Sequence, residues 1–317
     1  MTGYARVSTR DAAMWPTRQQ RLSELERGLA EFSKTDTALK GIASGKARKT
    51  LAMQMIASSR RLEYTAILKS RSVHANRADP SSHMFDPERA ALYHAANGNV
   101  DEAIWLVFLS IHFGKHGRHG WRMVRDVYSG LGTGLWTWRR VAKNASAFRQ
   151  WLTSHRTSIG GAFGNHRKYE TLDPNSNSST AAVVESFVAL CGASPSKYFA
   201  GLVRSVGNDP ARIFDAAYKG LKVVRFGRLA KFDFLALLGR MDLAPLVPGS
   251  AYLKGATGPL RGARLLIDGD PKSRKTADKL DEILKRLDQT LGVGMQVMED
   301  SICNWQKSPN EFIHFKG

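Results

Sequence analysis

The chain has 317 residues, with 47 Lys plus Arg against 28 Asp plus Glu and a formal charge of +19. That balance sets it apart from neutral enzymes of small metabolites and points to an anionic polymer, nucleic acid first. The longest strongly apolar run, Ala103 to Ile111, is about half of the roughly 20 residues a membrane span needs, and the opening MTGYARVSTRDAAMW has no signal-peptide core. These features predict a cytoplasmic protein with no membrane partner.

Hydrophobic residues make up 43% of the chain, enough for a sizeable core in one large domain or two ordinary ones. Cys191 and Cys303 stand alone, without a CxxC or CxxH pattern. Zinc and a disulfide framework are therefore not expected, and two packed thiols suit a reducing compartment.

In chain order, Pro16 to about Ser33 reads as a helix with a Leu22, Leu25, Leu29, Phe32 stripe. A second helix, Lys46 to Ser70, mixes Lys46, Arg48, Lys49, Arg60, Arg61 and Lys69 with Leu51, Met55, Ile56 and Leu62. Residues 1–75 thus read as a basic helical N-terminal extension, whose cations either contact phosphates or form a solvated face, and 76–317 as a helical catalytic core. Ser72 to Pro87 is a polar, proline-interrupted joint. Asn99 is placed to cap a buried helix, Asp101 to Phe113. It runs into HFGKHGRHGW, for which anion contact, a metal site and an ordinary exposed loop all stay open, the neighbouring cations disfavouring metal. Trp136, Trp138, Phe148 and Trp151 lie among arginines and suit either a core or base stacking.

The polar segment from Ile159 to Thr180 reads as a loop that orders on substrate. Helices are predicted at Thr180 to Leu190, Ser194 to Val206 and Asp209 to Tyr218, then from Pro271 to Leu291 behind an Asp270 cap, and from about Val293 to Trp305. The fold class is all-α.

The densest signal lies between Arg225 and Leu266. Phe226-Gly227-Arg228 predicts a tight cationic turn built on Gly227, followed by a helix with Leu229, Phe232, Leu235 and Leu238 on one face. A Pro- and Gly-rich loop and a second basic turn, KGATGPLRGAR, come next. Turn amides and a helix N-terminus both favour anions. Arg225, Arg228, Lys231, Lys254, Arg261 and Arg264 form a candidate phosphate clamp, with His112 and Lys115 as further candidates. KGATGPLRGAR lacks the Gly-Lys-Ser/Thr ending of a Walker loop, so no nucleotide triphosphatase is predicted.

The run VVRFGRLAKFDFLALLGRMDLAPLVPG resembles the hairpin and following helix of helix-hairpin-helix DNA glycosylases. That resemblance implies a glycosylase-like helical architecture gripping the DNA backbone. Those enzymes carry a catalytic aspartate in the loop beyond the helix, where this chain has Val247-Pro248-Gly249-Ser250. Asp268 or Asp270 is the alternative carboxylate if excision is the reaction.

A narrower resemblance rests on IWLVFLSIHFGK, RFGRLAKFDFLALLGR, PGSAYLKGATGPLRGARLL and MEDSICNWQK. Together they are similar to the α-glutamyl/putrescinyl thymine pyrophosphorylase family, clade three, also known as phage amino acid:DNA transferases. The resemblance implies thymine hypermodification in the host cytoplasm, in which an amine displaces pyrophosphate from 5-(pyrophosphoryloxymethyl)uracil in double-stranded DNA. The donor is a free amino acid or a polyamine. The chemistry needs cations at the leaving group, a dry pocket for an everted base and an acceptor for the amine proton. Asp233, Glu299 and Asp300 are the candidate acceptors, each equally able to pair with an arginine; Trp105, Phe226, Tyr252 and Trp305 are candidate stacking residues. No cofactor is required, although Mg2+ is compatible with the pyrophosphate. Excision by a glycosylase and DNA binding without catalysis are the two other readings.

Overall fold

A computed structural model describes residues 16–315. The described residues form an all-α protein of fourteen helices without a strand. In chain order these are α1 (Gln19–Thr35), α2 (Gly45–Lys69), α3 (Pro87–Ala96), α4 (Val100–Phe113), α5 (Arg122–Tyr128), α6 (Trp138–Lys143), α7 (Ala145–His155), α8 (Thr180–Cys191), α9 (Pro195–Val206), α10 (Pro210–Gly220), α11 (Arg228–Arg240), α12 (Gly258–Asp268), α13 (Ala277–Leu291) and α14 (Met295–Trp305). They divide into two compact units, Met1–Tyr64 with Pro248–Gly317, and Thr65–Val247. No helix is long and apolar enough to cross a membrane.

The division falls at residues 64 and 247 rather than at 75. Residues 16–64 form part of a folded core instead of an appendage. Leu51, Ala52, Met53, Met55, Ile56 and Ala57 of α2 are all buried, and they share one apolar cluster with Leu25 and Leu29 of α1, Leu266 of α12, Leu284 of α13 and Ile302 of α14. A helix apolar on every side needs partners on every side, and its partners come from the far end of the chain. Close packing of α12 on α14 depends on Gly262, where a Cβ would stand 2.3 Å from the Ile302 carbonyl oxygen. The Trp305 indole N–H donates to the Ala47 and Pro309 carbonyls, each at 3.2 Å, and its ring is fully buried.

The second unit is organised around α4, of which Ala103 through Ser110 are buried without a break. Its aromatic residues continue into neighbouring helices: Phe108 stacks on Phe187 at 3.9 Å between ring centroids and on Phe226 at 4.9 Å, with Phe234 meeting it edge-on. Trp105 joins the same cluster and donates from its indole N–H to the Trp136 carbonyl at 2.8 Å. Glu102 accepts from the Tyr128 hydroxyl at 2.6 Å and the Trp138 amide at 2.8 Å. Burial still raises its pKa, outweighing both hydrogen bonds. Trp136, Trp138 and Phe148 are likewise core residues, and Trp151 stacks on His155.

Three local expectations are corrected. Asn99 precedes α4 without a side-chain cap. Asp270 accepts from the Lys272 amide in a local turn, and the cap of α13 is Thr276, six residues later. The second basic turn is present only in part: Ala256 N donates to the Leu253 carbonyl at 2.9 Å, closing a turn about Lys254 and Gly255, whereas Arg261 and Arg264 lie on α12, with Pro259 near its start.

Candidate functional site

The segment between α10 and α11 is a hairpin, formed differently from the expectation. Phe226 N donates to the Val223 carbonyl at 3.1 Å, closing a four-residue turn, and Gly227 N donates to the Arg225 carbonyl at 2.9 Å. The left-handed position of that turn is occupied by Arg225, at φ 62°, where a glycine is the easy choice. Gly227 has φ −70° and is the residue capping α11. A non-glycine side chain in the left-handed region costs on the order of 1–2 kcal/mol, and the surroundings hold it there. Phe226 is 4% exposed and pegs the turn into the aromatic core, while Val224 N donates to the Ser186 hydroxyl at 3.0 Å. The turn thereby presents Arg225 to solvent at the start of a thirteen-residue helix that no side chain caps. Such a helix end is favourable for phosphate.

Around it the candidate residues have distinct partners. Arg228 lies over the Phe232 ring at 4.8 Å. Lys231 reaches the Tyr218 carbonyl at 3.5 Å, and burial with the nearby Lys222 lowers its pKa. Asp233 faces Arg167 at 3.8 Å. The Arg167 guanidinium is itself 10% exposed and donates from Nε to the Ile111 carbonyl at 2.8 Å. Arg225 pairs with Glu170 at 3.3 Å and donates to the Tyr169 carbonyl at 3.3 Å. A line of alternating charge, Asp233, Arg167, Glu170, Arg225, therefore connects α11, the 159–180 loop and the hairpin.

The loop that was expected to order on substrate is already docked. Gly164 N donates to the Phe113 carbonyl at 2.8 Å, and a Cβ on Gly164 would stand 2.8 Å from the backbone of Gly114. At its far end the Thr180 amide and hydroxyl both donate to the Thr171 carbonyl. Because that hydroxyl proton is committed, His112 Nε2, 3.0 Å from Thr180 Oγ1, is the donor, which fixes its tautomer. His112 is 1% exposed. Burial, reinforced by Arg167 and Arg225, pushes its pKa down to about 3. It is a neutral structural ring, and its expected role as a phosphate cation is corrected on that ground.

Lys115 is exposed, 5.8 Å from the Trp121 ring. In the turn after it, His116 Nδ1 accepts from the Arg118 and His119 amides. Among the described residues no group of three His, Cys, Asp or Glu side chains is arranged to hold a metal.

The remaining candidates belong to the other unit. Lys254 and Arg261 are exposed about the first turn of α12, whereas Arg264 spans to the Lys275 carbonyl at 3.4 Å. Asp281, missed from sequence, accepts from the Leu253 amide at 3.0 Å and also bonds Ser250 and Ala251, so it shapes the loop bearing Tyr252. Tyr252 is half-buried and left-handed at φ 49°. Asp300 is held by Arg61 and Asn304, and Glu299 is 7% exposed. Asp268 is tied to Lys275 and Ser273. Burial opposes ionisation there, but those hydrogen bonds prevail and lower its pKa.

Trp105, Phe226 and Trp305 are core residues in this structure, with no face offered to a base. Each lies in a stretch that carries the family resemblance, and packing buries it instead. Arg167, Glu170 and Tyr169 were missed. The adjacent Arg167-Lys168-Tyr169-Glu170 pattern, two cations before an aromatic and a carboxylate after it in a glycine-bearing loop, is the signal that marks them.

Residues 46–317 match the family model described as alpha-glutamyl/putrescinyl thymine pyrophosphorylase clade 3. The chain belongs to this family. The match covers both halves of the candidate clamp and begins within α2. The family description places the protein among enzymes that act on thymine in DNA with pyrophosphate chemistry. No curated protein and no solved structure matches the chain.

Proposed function

We propose that this family member transfers an amine to DNA. The nitrogen of an amino acid or polyamine attacks the 5-methylene carbon of 5-(pyrophosphoryloxymethyl)uracil; a C–N bond forms, the C–O bond breaks and pyrophosphate departs with the bonding pair. The amine must lose one proton, which passes to a carboxylate. Asp233 is the best placed of the three candidates: it is on α11 beyond the hairpin and its side chain is 39% exposed, whereas Glu299 is enclosed and Asp300 is engaged by Arg61.

The observation that carries the reading is the uncapped start of α11 with Arg225, Arg228 and Lys231 gathered about it. Amides and guanidinium groups there suit the charge that grows on a leaving diphosphate. Lys254, Arg261 and Arg264 form a separate cationic group about α12 in the other unit. The glycosylase-like architecture remains part of this proposal, with the hairpin gripping backbone phosphates.

Separating turnover from binding tests the assignment. Arg228→Ala and Arg261→Ala are each expected to lower turnover about 100-fold while DNA affinity changes little. Removing the exposed charges of Lys46 and Lys49 in α2 is expected to do the reverse, weakening affinity in a salt-dependent manner. Equal losses in turnover and affinity for both sets would remove the distinction between clamp and tether.

A further inference from the structure

We propose that Tyr169 enters the DNA duplex at the nucleotide being modified and stacks on the bases left behind when that nucleotide is everted. The inference deepens the DNA-modification reading and rests on it for the identity of the ligand.

Tyr169 is 78% exposed, more than any other large hydrophobic side chain among the described residues. An exposed ring on a floppy loop would mean little, but this one stands on a braced backbone. Upstream, Gly164 N is bonded to the Phe113 carbonyl and Arg167 reaches the Ile111 carbonyl. At the residue itself, the Tyr169 carbonyl accepts from Arg225, and Glu170 N donates to the Arg167 carbonyl. Glu170, with 8% of its side chain exposed, also pairs with Arg225. The backbone that carries the ring is thus tied to the side chain of the hairpin arginine.

Its surroundings fit a duplex. Lys168 Nζ is 5.1 Å from the ring centroid, and the Arg225 guanidinium donates to the Tyr169 backbone carbonyl at 3.3 Å. Val224, 36% exposed, adds apolar surface at the hairpin tip. An exposed flat ring with a lysine beside it and an arginine on its own backbone carbonyl suits a base stack flanked by its phosphate backbone. Everting a nucleotide forfeits stacking worth a few kcal/mol, and a ring in the vacated space restores part of it.

The test measures binding without turnover. The probes are a matched duplex and the same duplex carrying a tetrahydrofuran abasic analogue at one position, where the gap already exists. The wild-type protein and Tyr169→Phe are expected to prefer the gapped duplex. Tyr169→Ala is expected to bind it about ten-fold more weakly and to lose the preference, with an unchanged thermal midpoint because the side chain is exposed.

Wild-type binding that ignores the gap, or an alanine variant that keeps the preference or weakens equally on both duplexes, overturns the inference. Its fate is separable from that of amine transfer. A gap preference that depends on Tyr169 with no amine adduct from any donor sinks the transfer reading alone, and transfer with gap-indifferent binding sinks this one alone.

Discussion

Phe226→Ala is expected to destabilise the 65–247 unit by about 3–5 kcal/mol and to abolish measurable DNA binding by whatever fraction remains folded. The ring is 4% exposed and lies 4.9 Å from Phe108 and 6.1 Å from Phe234, in contact with the same cluster that buries Phe187. Truncation removes the transfer free energy of the ring and leaves a cavity beneath the turn. Beyond the ring, the turn is held by the Val224 amide bond to Ser186 and by the Arg225 contacts with Glu170 and the Tyr169 carbonyl, against a residue at φ 62° that prefers to relax. Phe226→Leu refills most of the volume and is expected to recover more than half of the loss. Urea unfolding read alongside DNA binding checks both statements. A stable Phe226→Ala protein that still binds DNA would show that the hairpin is not positioned by this peg.

Acidification is expected to weaken the same unit through His112. In the folded protein burial, with Arg167 and Arg225 adding to it, holds the imidazole neutral down to about pH 3, against an ordinary value of 6.5. Between those two values the unfolded chain binds a proton that the folded chain refuses. Stability therefore falls as the pH drops below about 6.5, by roughly 1.4 kcal/mol per pH unit from this one group. The contribution is fully present above pH 6.5, where both states are neutral.

His112→Gln supplies an N–H donor toward Thr180 without a titrating ring. Its stability is expected to decline less steeply between pH 6 and 4, so the two denaturation profiles converge or cross on the acid side. Parallel profiles would mean that the imidazole is protonated in the folded state. The 159–180 loop is expected to be the first part to loosen, because Thr180 and Thr171 share the network that His112 anchors.

How much of this was legible in the chain depended on the range of the interactions. Helices with local signals were read well: those predicted from Ser194 and from Asp209 are α9 and α10, each of which starts at the proline that follows, capped by the residue before it. The start of α13 was misplaced because Asp270 satisfies its own local turn, leaving the Lys-Ser-Arg-Lys stretch nonhelical until Thr276.

Along α4 the residue types are apolar almost all round, so periodicity could not indicate which face His112 or Trp105 occupies. Arg225 in a glycine-like position was equally hidden, since a strained residue is permitted only by contacts that sequence does not display. The acidic partners of the arginines, Glu170 and Asp233, are 63 residues apart and meet only through Arg167. The placement of residues 16–64 with the C-terminal segment is a long-range pairing of the same kind.

The central claim is that the cations around the hairpin serve the departure of pyrophosphate from thymine's modified methyl carbon. The most direct measurement is incubation of the protein with DNA bearing 5-(pyrophosphoryloxymethyl)uracil and, separately, glycine, glutamate, serine or a polyamine, followed by digestion to nucleosides and mass analysis. A 2′-deoxyuridine whose 5-methylene carbon carries one of these amines, less the proton it gave up, in place of the released pyrophosphate is the predicted result. Abasic sites in the DNA, or modified nucleosides recovered unchanged with every amine, would contradict it.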